Sequence, residues 1–144
     1  MALVCDTGPL LAALDRDDPD HRPCAELLLS ATEDLVVPGL VLSELDYWCR
    51  KLAILNAWLN FLEDVDSGAW RVEWPTSADL RRALELERSY ADLGLGIVDA
   101  TIIALLERWH EPKVATLDHR HFTVVRPAHV AAIELLPPLT DRSA

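Results

Sequence analysis

The chain has 144 residues, 51% of them hydrophobic and 26% charged, with a formal net charge of -11. That length and balance describe one folded domain with room for a core that needs no disulfides, and exclude a disordered or low-complexity chain. No basic, apolar leader opens the sequence and no uncharged apolar run reaches membrane-spanning length, so a cytoplasmic protein with no membrane partner is expected.

The first element is a short apolar strand, Ala2 to Cys5, ending at Asp6. Thr7-Gly8-Pro9 turns the chain into a helix marked by Leu10, Leu11 and Leu14. Asp18-Pro19 and Arg22-Pro23 read as a loop, Ala25 to Ala31 as a helix, and Leu35 to Val37 as a second buried strand stopped by Pro38-Gly39. Leu40 to about Val65 is helical with a break near Arg50-Lys51, and Leu42, Leu45, Trp48, Leu52, Leu55, Leu59 and Leu62 form its apolar stripe. Trp70, Val72 and Trp74 alternate with Arg71 and Glu73 as in a half-exposed edge strand. Thr76 or Ser77 can cap the helix that follows, to about Tyr90.

Gly94-Leu95-Gly96 leads into Ile97 to Trp109, apolar on nearly every side and therefore a central helix. Val114 to Leu117 is a strand ending at Asp118, with further strands expected at Thr123 to Arg126 and Ile133 to Leu136. Residues 1-136 form the domain and 137-144 a loose tail. Strands alternating with helices define an α/β fold, with a central parallel sheet of four to five strands flanked by helices on both faces. In such sheets ligands bind beyond the carboxyl ends of the strands.

Asp6 and Asp118 each end an apolar strand and so share that edge, although each also fits a plain turn or capping role. Glu44 lies early in a helix with apolar flanks, where a solvated acid favoured by the helix dipole is the bland reading. Asp99 is the only charge between Asp92 and Glu107. Burying it unpaired would cost several kcal/mol, roughly the penalty for an uncompensated interior charge, so a positive partner is required. Four carboxylates brought together repel one another unless a cation binds them, and an all-oxygen set suits Mg²⁺ or Mn²⁺ rather than zinc. Such an ion supports hydrolysis of a phosphodiester.

The order Asp6-Thr7-Gly8, Ser43-Glu44-Leu45-Asp46, Gly96-Ile97-Val98-Asp99-Ala100 and Thr116-Leu117-Asp118-His119-Arg120-His121-Phe122 resembles the PIN domain, most closely its VapC-type toxins. The resemblance runs from Leu3 to Phe122. It implies a PIN-like endoribonuclease in which Asp6, Glu44, Asp99 and Asp118 bind Mg²⁺ or Mn²⁺ and direct water at RNA. It also implies a tRNA or rRNA substrate, a homodimer, and inhibition by a VapB-type antitoxin.

Thr116, two residues before Asp118 on a strand, points to the same face and can orient a carboxylate, and Thr7 beside Asp6 can do likewise. Asp92 is similar to an acid often found in the family before the third ligand, and reads equally well as a loop acid. His119, Arg120 and His121 are candidate RNA contacts, of which at most two can face the site. They share a basic segment from Arg108 to His129, which answers the objection that a chain of charge -11 cannot bind RNA. Cys5, Cys24 and Cys49 lie outside any metal spacing and are read as reduced, mostly buried thiols. Trp48 and Trp58, with Leu55, Leu59 and Phe61, are either core or a docking surface. Another metal-dependent phosphoryl hydrolase, a DNA nuclease or phosphatase, and a non-catalytic RNA-binding module are the alternatives.

Overall fold

Three parallel strands, β1 (Ala2–Val4), β2 (Asp34–Pro38) and β3 (Arg71–Glu73), form the main sheet in that order in the computed structural model, which describes residues 1–138. Leu3 pairs with Leu35, and Val37 with Val72. Leu3, Val4, Cys5, Val36 and Val37 are all essentially inaccessible, and consecutive buried residues in a strand mean that both faces of the sheet are covered.

Beside it, β4 (Lys113–Ala115) and β5 (Glu134–Leu136) form a parallel pair. The expected sheet of four to five strands is thus a hydrogen-bonded three plus two. The halves meet at one parallel bridge, Cys5 with Ala115, and the Asp6 amide donates to the Ala115 carbonyl at 2.8 Å. β1 has no more to offer, because at Asp6 the chain already turns into a helix.

That helix is α1 (Thr7–Leu14), followed by α2 (His21–Ser30), α3 (Gly39–Lys51) and α4 (Leu55–Asp66). α1 packs on α2 and α3, and α3 on α4. The loop expected at Arg22-Pro23 is instead the first turn of α2. Proline is tolerated there because the first-turn amides have no carbonyl to bond within the helix. Trp58 and Phe61 of α4 enter the core, whereas Trp48, Leu52, Leu55, Leu59 and Leu62 each keep more than a third of their surface in solvent. Much of the α3–α4 stripe is therefore a surface.

α5 (Ser77–Ser89) starts with a reciprocal cap, the Thr76 hydroxyl accepting from the Asp79 amide and the Asp79 carboxylate from the Thr76 amide. α6 (Ile97–Trp109) is buried from Ala100 to Leu106, as its composition predicts, and packs on α5. Arg108 joins the two by donating to Asp79 and to Glu73, and Arg82 grips Glu107 with two nitrogens. These pairs neutralise carboxylates that the fold takes from water.

The strand expected at Thr123 to Arg126 is not formed. His119–Val124 is a short helix, α7, because the Asp118 side chain accepts the His121 amide and so caps a helical turn. The tail expected at 137-144 lies outside the described residues apart from Pro137 and Pro138. All three cysteines are buried and unpaired. Among the described residues, no helix is long and apolar enough to cross a membrane.

Candidate active site

β1 and β4 run parallel and side by side, so the residues just past their ends, Asp6 and Asp118, emerge at the same edge. α3 starts directly after β2 and carries Glu44 in its second turn, while α6 starts after Gly96 and carries Asp99 in its first. Gly96 has φ +80, a conformation that disfavours any side chain, and it sets the direction in which α6 begins.

The four acids are tied into one network. The Asp6 carboxylate accepts the Thr7 amide at 2.8 Å on one oxygen and the Thr116 hydroxyl at 2.9 Å on the other. The Thr7 hydroxyl donates to Glu44 Oε1 at 2.6 Å. Thr116 Oγ1 accepts the Asp118 amide at 3.0 Å, so one fully buried hydroxyl fixes acids from two strands. His121 Nδ1 lies 2.6 Å from Asp99 Oδ2 and 3.0 Å from Asp118 Oδ2, which calls for the proton on that nitrogen.

The charge arrangement is under tension. Burial, above all, pushes the Asp99 carboxyl up to about 7, with the charges of Asp6 and Asp118 adding to it, against the hydrogen bond from His121. Asp6 is pushed up to about 6, first by burial and then by Glu44 and Asp118, although Thr7 and Thr116 bond its charged form. A divalent cation relieves this repulsion directly. Ligand atoms of Asp99, Asp118 and His121 lie within 4.8 Å of one another, and the carboxylate oxygens are the hard donors that Mg²⁺ and Mn²⁺ take. The residues present fit such an ion. An open cleft of about 290 Å³ lined by Glu44, Leu95, Gly96, Ile97, Val98 and Asp99 leads to it.

Thr7 and Thr116 lie inside this network. Asp92 does not: it is exposed on a short 3-10 turn (Ala91–Leu93) and lines a second cleft with Arg88 and Arg120. Of the three residues expected to face RNA, Arg120 is exposed, His119 is half-buried, and His121 is turned onto the carboxylates. The sequence demanded a positive partner for Asp99 without naming one, and the structure places the His121 imidazole against it as a hydrogen-bond partner. The spacing from Asp118 to His121, three residues at a helix start, is the signal that would have found it.

The chain belongs to the PIN-domain family, which it matches over residues 3–126. PIN-domain nucleases are metal-dependent. Over 135 residues it is 33% identical to Ribonuclease VapC26 of Mycobacterium tuberculosis (strain ATCC 25618 / H37Rv), covering 94% of this chain and 100% of that protein. Its fold is similar to that of Mycobacterium tuberculosis VapC20, described as a sarcin-ricin loop cleaving toxin, with a TM-score of 0.74 and 20% identity over 81% of this chain and 90% of that one. It is also similar to VapBC2 from Rickettsia felis bound to a DNA fragment from their promoter, with a TM-score of 0.65 and 17% identity over 94% of this chain and 97% of that one. At those identities the two structures share the fold.

Proposed function

We propose that this chain is an endoribonuclease using Mg²⁺ or Mn²⁺, the toxin of a toxin–antitoxin pair, with Asp6, Glu44, Asp99 and Asp118 as its metal-binding and catalytic acids. The observation that carries the reading is the hydrogen-bonded network that joins these acids past the strand ends, two of them with strongly raised carboxyls, with Glu44 and Asp99 lining the cleft beside it. The kinship with a ribonuclease over nearly the whole chain supplies the substrate class. When bound, the ion would polarise a water and a phosphate oxygen.

The chain's own residues prepare that chemistry. Thr116 and Thr7 hold Asp6 and Glu44 in fixed orientations, which lowers the cost of arranging ligands. His121 Nδ1 bridges Asp99 and Asp118 and holds the two carboxylates at a fixed spacing. The substrate is tRNA or rRNA. A VapB-type antitoxin restrains the enzyme, and a homodimer forms through exposed apolar side chains of α3 and α4 such as Tyr47, Leu55 and Leu59.

The test is incubation of purified, antitoxin-free protein with total bacterial RNA, with Mg²⁺, with Mn²⁺ and with chelator, and mapping of new 5′ ends. Discrete cleavage by the wild type that is lost with chelator and in Asp99→Ala is the expected result. A folded, metal-binding wild type that leaves every RNA intact overturns the reading.

A further inference from the structure

The basic segment from Arg108 to His129 is less basic in the fold than in the sequence. Arg108 is spent on Asp79 and Glu73, and Lys113 is bound to Glu33. Among the described residues, the arginines whose guanidinium groups have neither a hydrogen bond nor an ion pair are Arg16, Arg81, Arg88, Arg120 and Arg126. Two of these, Arg88 and Arg120, line one cleft of about 390 Å³ together with Tyr90 and Asp92. A third, Arg126, donates its backbone amide to the Tyr90 hydroxyl at 2.9 Å but does not itself line the cleft. In a chain of net charge -11, unpaired cations gathered at one cleft are a local exception to the field of the molecule.

The position of the cleft gives the exception a meaning. Arg120 lies on α7, one residue before His121 and two after Asp118. From the other side, residues 88–93 line this cleft and residues 95–99 line the cleft at Glu44 and Asp99. One continuous stretch of chain therefore forms the rim of both, passing through Gly94, whose φ of +66 and open surroundings leave no side chain between them. An extended polyanion with one phosphate at the carboxylates can follow this shared rim toward the arginines. Asp92 forms no ion pair with either arginine, so both remain open to an outside anion.

We propose that Arg88 and Arg120 form a phosphate-binding subsite that holds the RNA strand beside the bond to be cleaved, with Tyr90 as its wall. This rests on the nuclease reading and extends it to residues that neither bind the metal nor touch the reacting phosphate. They act as positioning residues for the substrate: the acidic quartet repels RNA, and the adjacent cations recover affinity at one register.

The test uses the full chain carrying Asp99→Asn, so that RNA is bound and not cut, with a labelled single-stranded RNA of about ten nucleotides, within the span that single-strand sites cover. Affinity is followed against salt in Mg²⁺. Each phosphate neutralised adds about 0.7 to the slope of log affinity against log salt for a single strand, so Arg88→Gln with Arg120→Gln lowers the slope by about 1.4 and weakens binding roughly tenfold. Arg16→Gln with Arg81→Gln removes the same charge elsewhere and leaves the slope nearly unchanged. In the cleavage-competent chain, Arg88→Gln raises KM with little change in kcat. Equal slopes for the two double variants overturn the subsite and leave the nuclease reading standing. A folded, metal-loaded wild type that neither binds nor cuts RNA at any salt overturns both.

Discussion

The Thr7 hydroxyl lies 2.6 Å from Glu44 Oε1, joining the first residue of α1 to the second turn of α3 across 37 positions of sequence. Because Thr7 N–H also bonds Asp6, a single residue sets the orientation of two acids. Thr7→Ala removes the hydroxyl and keeps the amide. It is expected to lower metal affinity, and cleavage with it, by about 10- to 100-fold, the usual cost of losing a group that orients a ligand. Thr7→Ser restores most of both. Metal titration by calorimetry beside cleavage rates checks this; equal losses in the two variants would show that the methyl group, and so packing, matters instead.

Thr116→Val tests the other tie. The two side chains have nearly the same shape, yet valine can neither donate to Asp6 nor accept from the Asp118 amide. With both partners buried or partly buried, the loss is expected to cost about 1–3 kcal/mol of stability. Without the Thr116 hydrogen bond, which favours its charged form, the Asp6 carboxyl rises further above about 6. Metal binding should consequently shift to higher pH in Thr116→Val, which a titration of metal affinity across pH reads directly. A loss of stability with an unchanged pH profile would separate packing from carboxylate control.

Much of this arrangement was legible in the sequence. Apolar runs broken by an acid located Asp6 just past β1 and Asp118 past a strand that stops earlier than expected, at Ala115, and the wholly apolar stretch around Asp99 showed that this carboxylate would need a partner. What escaped was the partner itself. His119-Arg120-His121 is too short and too polar for its periodicity to reveal a helix, and the expected strand at Thr123 to Arg126 hid the turn that Asp118 caps. The same limit hid the start of α2, where Pro23 fits a first turn as well as it fits a loop. Nor does a stripe such as Leu52, Leu55 and Leu59 say how much of itself is covered, since helical spacing gives a face and only tertiary packing gives its neighbour.

The raised carboxyls also fix the sign of a pH dependence. Free aspartates titrate near 3.8, and in the fold Asp6 and Asp99 do so at about 6 and about 7. The folded state therefore holds more protons than the unfolded chain between those values, and stability from these groups is full below about 3.8 and lost as pH rises through 6 to 7. Metal-free protein is expected to melt higher near pH 5 than near pH 8, by roughly 3–6 °C for a domain of this size. Asp99→Asn flattens the trend. Added Mg²⁺ or Mn²⁺ acts in the opposite sense, stabilising most near pH 8, where the ligands are already deprotonated, and least near pH 5. Melting curves at several pH values, with chelator and with metal, decide the matter; a metal-free protein more stable at pH 8 would mean that the acids are not held in conflict.

The last relationship links the fold's edge to the site. A Cβ built on Gly39 would lie 2.1 Å from the Trp74 ring, so the indole just past β3 sits directly on the start of α3. Gly39→Ala must push the ring or the helix aside, and α3 carries Glu44 five residues further on. The expected cost is about 1–3 kcal/mol of stability for overpacking, together with lower activity as Glu44 moves. Trp74 is 60% exposed and closes no deep core, so Trp74→Ala alone should cost less than Gly39→Ala. Combined, the two changes should recover most of the loss, because alanine then no longer meets the indole and is the better helix former. Chemical denaturation of the two single variants and the double variant measures that coupling, and simple addition of the two costs would place the requirement for glycine in the backbone and not in the ring above it.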